Sequence, residues 1–493
     1  MSETNPSKPS ALRVNPARIR ASGAADPAAA ADGLPTPRRW WAAATIWAAI
    51  AMTVLDAAIA NVALPTIARD LAASPAQSIW VVNAYQLAIV ISLLPLAALG
   101  EIVGYRRIYQ GGLVIFTLAS LACALSPTLL ILAGARTLQG FGAAGIMSVN
   151  GALVRYTYPQ SMLGRGVGLN ALVVATSAAA GPTIASAILS TGSWPWLFAV
   201  NVPIGIATFA VAACSLPKTP LAKVRFDVLS AGLNAVAFGL VVTGVDVLTR
   251  TKARLAGLLE LAVGILAGVV LVRRQLPMPR PLVPIDLLRI RVFALSIMTS
   301  VISFTAQMAA FVALPFQFEM VMHRSQVATG LLLTPWPLGV GLAAPLAGWL
   351  ADRFSAAILG GIGLAVFALG LALLAALPAD APDLQIVWRM AVCGIGFGFF
   401  QSPNNRMMLS TAPRERSGAA GGMLATARLT GQTAGAVTIA ICLHLFGDHG
   451  ERITLALAAG LALLGAGSSL TRIVHRKQPD PPDPELGSCA TGT

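Results

Sequence analysis

Apolar runs of about 20 residues, separated by short polar or basic stretches, recur along almost the whole chain. Each is long enough for a helix rising 1.5 Å per residue to cross a hydrocarbon core of roughly 30 Å. Fourteen such runs are read, at 41–66, 79–103, 108–126, 128–153, 165–190, 195–216, 228–248, 255–272, 293–319, 327–350, 356–377, 385–405, 417–446 and 453–471. The expected architecture is an all-α membrane protein with 14 transmembrane helices.

The pattern also repeats. Val62-Ala63-Leu64-Pro65, followed by Pro95, returns as Val312-Ala313-Leu314-Pro315 followed by Pro345. Arg136 leads into Gly140, Gly142, Ser148 and Asn150; Arg389 leads, after one extra residue, into Gly394, Gly396, Ser402 and Asn404. Matching runs one to six with runs nine to fourteen predicts two six-helix bundles, 39–216 and 291–472, with a linker and an inserted helix pair at 217–290. The tails at 1–38 and 473–493 lack apolar runs and are expected to be disordered, and nothing in the first tail has the apolar core of a signal peptide.

Composition agrees with a lipid-solvated chain: 56% of its 493 residues are hydrophobic and 11% charged, with a mean hydropathy of +0.74. The charges are unevenly placed. With both termini on one side, only Arg69, Arg250, Lys252, Arg254, Arg324 and Arg452 fall in loops on the other, and Arg136, Arg389 and Arg428 fall within runs. Basic residues concentrate on the cytoplasmic side of membrane proteins, so both termini are expected to be cytoplasmic in a bacterial inner membrane. The net charge of +14 is then a topology signal and needs no nucleic-acid partner. Arg13, Arg18 and Arg20 reinforce topology or touch anionic headgroups. Cys123, Cys214, Cys393, Cys442 and Cys489 show no metal-ligand spacing and read as packing residues. A phosphate-binding GxxxxGK[ST] loop is absent, as is a Ser/His/Asp set. No enzyme, bound metal or cofactor is expected.

Charged residues inside apolar runs are expensive and mark function or pairing. Asp56, in the first run, should face the protein interior or a water-filled cavity. A carboxyl group shut away from water favours its neutral form and a nearby cation favours the charged one, which is the balance a proton carrier needs. A structural salt bridge is the alternative. Arg136 is the expected partner, because it lies at a similar depth in the fourth run. Arg428, near mid-bilayer, must meet an acid or bind something, and no partner is legible for Arg389, Glu260 or Glu319. Trp80, Tyr85 and Trp336, placed among apolar runs, are candidates to line a cavity for flat substrates, while most other tryptophans read as interfacial anchors. Gly181-Pro182, after a run of alanines, favours close packing and a local bend.

Taken together, Leu55-Asp56, Asn61-Val62-Ala63-Leu64-Pro65, Trp194-Pro195-Trp196-Leu197-Phe198 and Asn201-Val202-Pro203-Ile204-Gly205 resemble the major facilitator superfamily, and within it the fourteen-span drug:proton antiporter family. The resemblance covers nearly everything between the tails. Arg136, Gln139, Gly140 and Gly142 match its span-four motif, in which the arginine is implicated in proton transfer, and Gly181-Pro182 matches its antiporter motif. Its loop motif is altered: Glu101, Gly104, Arg106 and Arg107 stand where an acid, a glycine and basic residues are usual, with Glu101 replacing aspartate. Gly348, Asp352 and Arg353 are nearer the usual form in the second half. Ser177 and Ala185-Ser186 replace glycines of the antiporter motif.

The resemblance implies proton-driven export of small amphipathic or drug-like compounds by alternating access. Asp56 and Arg136 would carry coupling, Gly181 and Pro182 would permit bending, and the two loop motifs would form a cytoplasmic gate. Trp80, Tyr85, Gln139, Trp336, Arg389 and Arg428 are the cavity candidates. The expected partners are lipid, protons and a small-molecule substrate, with the chain a monomer. Uptake of a nutrient or organic acid, or a sensor that has lost transport, are the alternatives.

Overall fold

The computed structural model describes residues 32–248, 254–278 and 281–475. The expectations for Arg13, Arg18, Arg20, Cys489 and most of both tails lie outside the described residues. Without water in a bilayer core, backbone amides and carbonyls must pair within their own segment, and the chain accordingly folds into helices with no strand among the described residues. The long helices are α1 (Arg38–Asp70), α2 (Trp80–Val103), α3 (Tyr105–Ala124), α4 (Leu129–Thr157), α5 (Leu163–Thr191), α6 (Asn201–Ser215), α7 (Val228–Leu248), α8 (Arg254–Gln275), α9 (Arg291–Phe316), α10 (Pro335–Ala351), α11 (Ala356–Ala375), α12 (Asp383–Thr411), α13 (Ser417–Phe446) and α14 (Gly450–His475).

Twelve helices in the described residues are long and apolar enough to cross a bilayer by length and composition, where fourteen spans were expected. The shortfall falls at the seventh and thirteenth expected spans. The described apolar stretch of α7 is shorter, Val228–Gly244.

Helix ends have local causes. Gly104 adopts φ +106 between α2 and α3, a backbone conformation that favours glycine. Thr128 caps α4 by accepting from the Ile131 amide at 3.4 Å. Pro182, Pro345 and Pro403 sit inside helices that continue through them. Past Pro315, α9 runs on as a π turn at Gln317–Val321.

The packing shows the duplication. In the first half α1 packs on α5, α4 on α2 and α3, and α6 on α1 and α3; in the second, α9 packs on α13, α12 on α10 and α11, and α14 on α9 and α11. The halves meet reciprocally, α5 against α10 and α2 against α13. α7 and α8 pack on each other, and α7 leans on α2, where Asn234 Nδ2 donates to the Ile91 carbonyl at 3.0 Å.

Segments 32–38, 101–106, 155–165, 215–216, 286, 352 and 406–419 contact one another and form one face, called here the basic face. Loops at 324–325 and 375–383, joined by Arg324 and Arg452, belong to the opposite face. A continuous apolar core spans both halves at the basic face, from Tyr105 and Leu153 to Met408, Ala419 and Met423. Toward the opposite face the cores separate: Ile59, Val81, Leu132 and Phe198 in the first half, Phe304, Trp336, Phe367 and Phe397 in the second.

Candidate functional site

Asp56 and Arg136 form a buried ion pair between α1 and α4, with both side chains almost wholly shielded. Further donors converge on the same carboxylate: Gln139 Nε2 at 2.8 Å and Asn201 Nδ2 at 2.9 Å, both to Oδ1. Gln139 sits one turn after Arg136 on α4, so both face α1. Its Oε1 accepts from Arg136 Nη1 at 2.6 Å, and its Nε2 also reaches Ser120 of α3 at 2.8 Å.

Arg136 Nε donates to the Val81 carbonyl at 2.9 Å, and its guanidinium lies 4.1 Å from the Tyr85 ring centroid and 5.5 Å from that of Phe198. Its Nη2 has no hydrogen-bond partner among the described residues. Among the described residues, the side chains that reach the Asp56 carboxylate are all hydrogen-bond donors. In low dielectric such a pair is held by its hydrogen bonds as much as by its charges, and removing either member leaves an uncompensated ion.

Gly181 of α5 packs directly on Ala58, two residues after Asp56, where a side chain would collide with the Ala58 Cβ. α5 continues through both Gly181 and Pro182. What glycine provides here is close approach of α5 to the helix bearing the acid.

At the basic face each half caps a helix of the other. Asp352, at the end of α10, accepts from the amides of Gly164 (2.8 Å) and Arg165 (3.2 Å) in the first turn of α5, and from Arg406 Nε at 3.0 Å. Glu101, near the end of α2, accepts from the Ala419 amide at 2.8 Å in the first turn of α13 and from Arg416 Nη1 at 2.8 Å. Free amides and the helix dipole both favour an anion at a helix N-terminus. Arg416 also pairs with Asp286 at 2.9 Å. Burial alone would lower the Arg416 pKa, but Glu101 and Asp286 outweigh it and hold the guanidinium above its usual value. Gly348 and Gly164 touch backbone to backbone, and Tyr105 accepts from the Gly418 amide at 2.8 Å.

Several expected gate residues act only within their own half. Arg106 binds the carbonyls of Ala213 and Leu216, Arg107 reaches the Val103 carbonyl at 3.4 Å, and Arg353 stacks 4.5 Å over Trp349. Gly104 contributes the turn. Arg416, which bridges the halves through Glu101, and Arg406, which holds Asp352 from within the second half, have no counterpart in the altered loop motif. Their signal in the sequence is placement: Arg416 directly precedes α13, and Arg406 lies five residues before the end of α12.

A cavity of about 100 Å³ lies between the halves, lined by residues of α1, α4, α5, α9, α12 and α13. Of the six cavity candidates, Arg428 alone lines it. Gln139 and Tyr85 belong to the Asp56 cluster, Tyr85 also donating to the Thr53 carbonyl at 3.1 Å. Trp80 is half exposed in a shallow depression formed with Leu71, Gln77 and Leu129. Trp336 is buried edge-on against Phe311 and Phe367, with ring centroids 5.8 and 5.4 Å away. Arg389 folds back on Gln385 and stacks 4.4 Å over Trp388. Aromatic character marked these positions, but it does not distinguish a cavity wall from a core. The polar wall of Asn150, Asn170, Gln401 and Asn405 was missed, because each lies in a run with no periodic mark of its orientation.

The family model for the Major Facilitator Superfamily matches residues 46–436 and 293–486. The chain belongs to that superfamily. Its members include relatives across most of the length of the chain, beginning with the uncharacterized transporter YebQ of Escherichia coli K12, 55% identical over 91% of this chain and 99% of that protein. The riboflavin transporter RibZ of Clostridioides difficile is 31% identical, covering 79% and 85%. The multidrug resistance protein Stp of Mycobacterium tuberculosis is 30% identical, covering 78% and 72%. The chain is thus a multi-pass membrane transporter of this superfamily.

Proposed function

We propose that the chain is a proton-coupled antiporter that exports small amphipathic compounds across a bacterial inner membrane by alternating access. The observation that carries this reading is the buried Asp56–Arg136 pair with its carboxamide cage. Taking up a proton would neutralise Asp56 and free Arg136 from its counter-charge, so a change of protonation alters the balance of forces holding α1, α4 and α6. The energy comes from the proton gradient, with no cofactor. In the arrangement seen here the latches of Glu101 and Asp352 hold the basic face shut, which corresponds to an outward-facing state if that face is cytoplasmic, as the distribution of Lys and Arg supports. All 14 long helices would cross the bilayer, α7 and α8 as a pair inserted between two six-helix bundles of a monomer, with both termini cytoplasmic. Sequence kinship with Stp supports export; kinship with RibZ leaves flavin-like compounds within the substrate range.

Energised inverted vesicles test the reading. Proton-driven accumulation of a fluorescent amphipathic dye in the acidified lumen is the expected result, and Asp56→Asn abolishes it while the protein remains folded in the membrane. Dye accumulation that survives this substitution removes Asp56 from the coupling step. Accumulation in the reverse direction favours uptake instead.

A further inference from the structure

Resting on that transport reading, we propose that the cavity between the halves recognises an anionic amphiphile, with Arg428 as the counter-charge for a carboxylate or sulfonate head group. Arg428 lies eleven residues into α13, ~17 Å along the helix from its start at 1.5 Å per residue. It lines the cavity together with Asn150 of α4, Asn170 of α5, Gln401 and Asn405 of α12, and Phe304 of α9. Neither aspartate nor glutamate lines it. Arg428 forms no ion pair among the described residues, and its buried Nε has no hydrogen-bond partner. Asp56 and Glu101, buried in the first half, are already committed to Arg136 and Arg416.

An unpaired guanidinium at this depth is costly unless something negative visits it. Its planar fork matches the two oxygens of a carboxylate or two of a sulfonate. The carboxamides add N–H donors that can turn toward an anion: Asn150 Nδ2 reaches Asn170 Oδ1 at only 3.4 Å, and Asn150 Oδ1 is unpartnered. Phe304 supplies an apolar wall. A cationic compound would meet like charge and no acid, so the lining selects against it.

The test uses purified full-length protein and a panel of one- to three-ring aromatic carboxylates and sulfonates, each beside its amide and its ammonium analogue. Binding is measured calorimetrically in detergent, and flux in proteoliposomes carrying a pH gradient. Anions are expected to bind best, and Arg428→Gln is expected to weaken them roughly thirtyfold or more, while the ligand-free protein melts at the same temperature or higher. Arg428→Lys retains the anion preference, which excludes misfolding as the cause. Ammonium or amide members binding as well as their anions, an anion preference that survives Arg428→Gln, or no binding by any anion overturns the proposal. Cation flux on the gradient in such a case leaves the transport reading standing. Arg428-dependent anion binding without gradient-driven flux keeps the site and retires that reading.

Discussion

The two halves are built on one frame and filled differently. In α4, a side chain on Gly140 would strike the Tyr85 carbonyl and one on Gly142 the Phe116 amide; in α12, one on Gly394 would strike the Trp336 carbonyl and one on Gly396 the Phe367 amide. Helix contacts are therefore equivalent. Over that frame the first half places Asp56, Arg136, Gln139 and Asn201, whereas the second places Phe304, Trp336, Phe367, Phe397 and Phe400 in edge-on contact. Ala306, fully buried, stands 250 positions after Asp56.

Arg389 looks like the partner of Arg136 but precedes its glycine by one residue more. One residue turns a helix by about 100°, and the side chain leaves the core for Gln385 and Trp388. The first half therefore buries an ion pair at the level where the second packs phenylalanines edge-on.

The strongest way to break this comparison is to restore the register. Met390, buried, precedes Gly394 by the same four residues that separate Arg136 from Gly140. Met390→Arg should place an unpaired guanidinium among phenylalanines and cost about 3–5 kcal/mol, read as a fall in thermal unfolding temperature in detergent. A neutral result would mean that the second core is not the sealed body described.

A smaller effect distinguishes the two latches. Glu101→Gln leaves Arg416 its pair with Asp286, while Asp352→Asn leaves Arg406 without its carboxylate. Each should loosen the basic face by about 1–3 kcal/mol, with Asp352→Asn the larger, seen as a greater open fraction in distance measurements between fluorophores across that face. Equal shifts would make the latches interchangeable. Smallest of all is Arg389→Ala: with only local, partly exposed contacts it should change stability by less than about 1 kcal/mol and leave pH-driven flux intact. A loss of flux would return Arg389 to the coupling machinery.

Much of this was legible along the chain. The apolar runs, the Val-Ala-Leu-Pro echo and the depths of Asp56 and Arg136 come from one-dimensional regularities: span length, spacing and distance from a helix end. The cage around Asp56 was half legible, since Asn201 lies within a recognisable motif and nothing marks Ser120. Cavity placement failed for Trp336 and Tyr85 because a helix hydrophobic on all sides has no polar face to say which side is inward.

By itself, then, the sequence determined that the chain is helical, membrane-borne and duplicated, because lipid demands long apolar helices and repetition survives in spacing. Only the tertiary structure decided which charges meet. Glu101 finds Arg416, and Asp352 finds the Gly164 and Arg165 amides, across a joint between halves, while Arg428 faces a cavity and finds no ion pair among the described residues. Such pairings depend on the rotation of each helix about its own axis and on which neighbours it packs beside, and a linear pattern of apolar residues constrains neither.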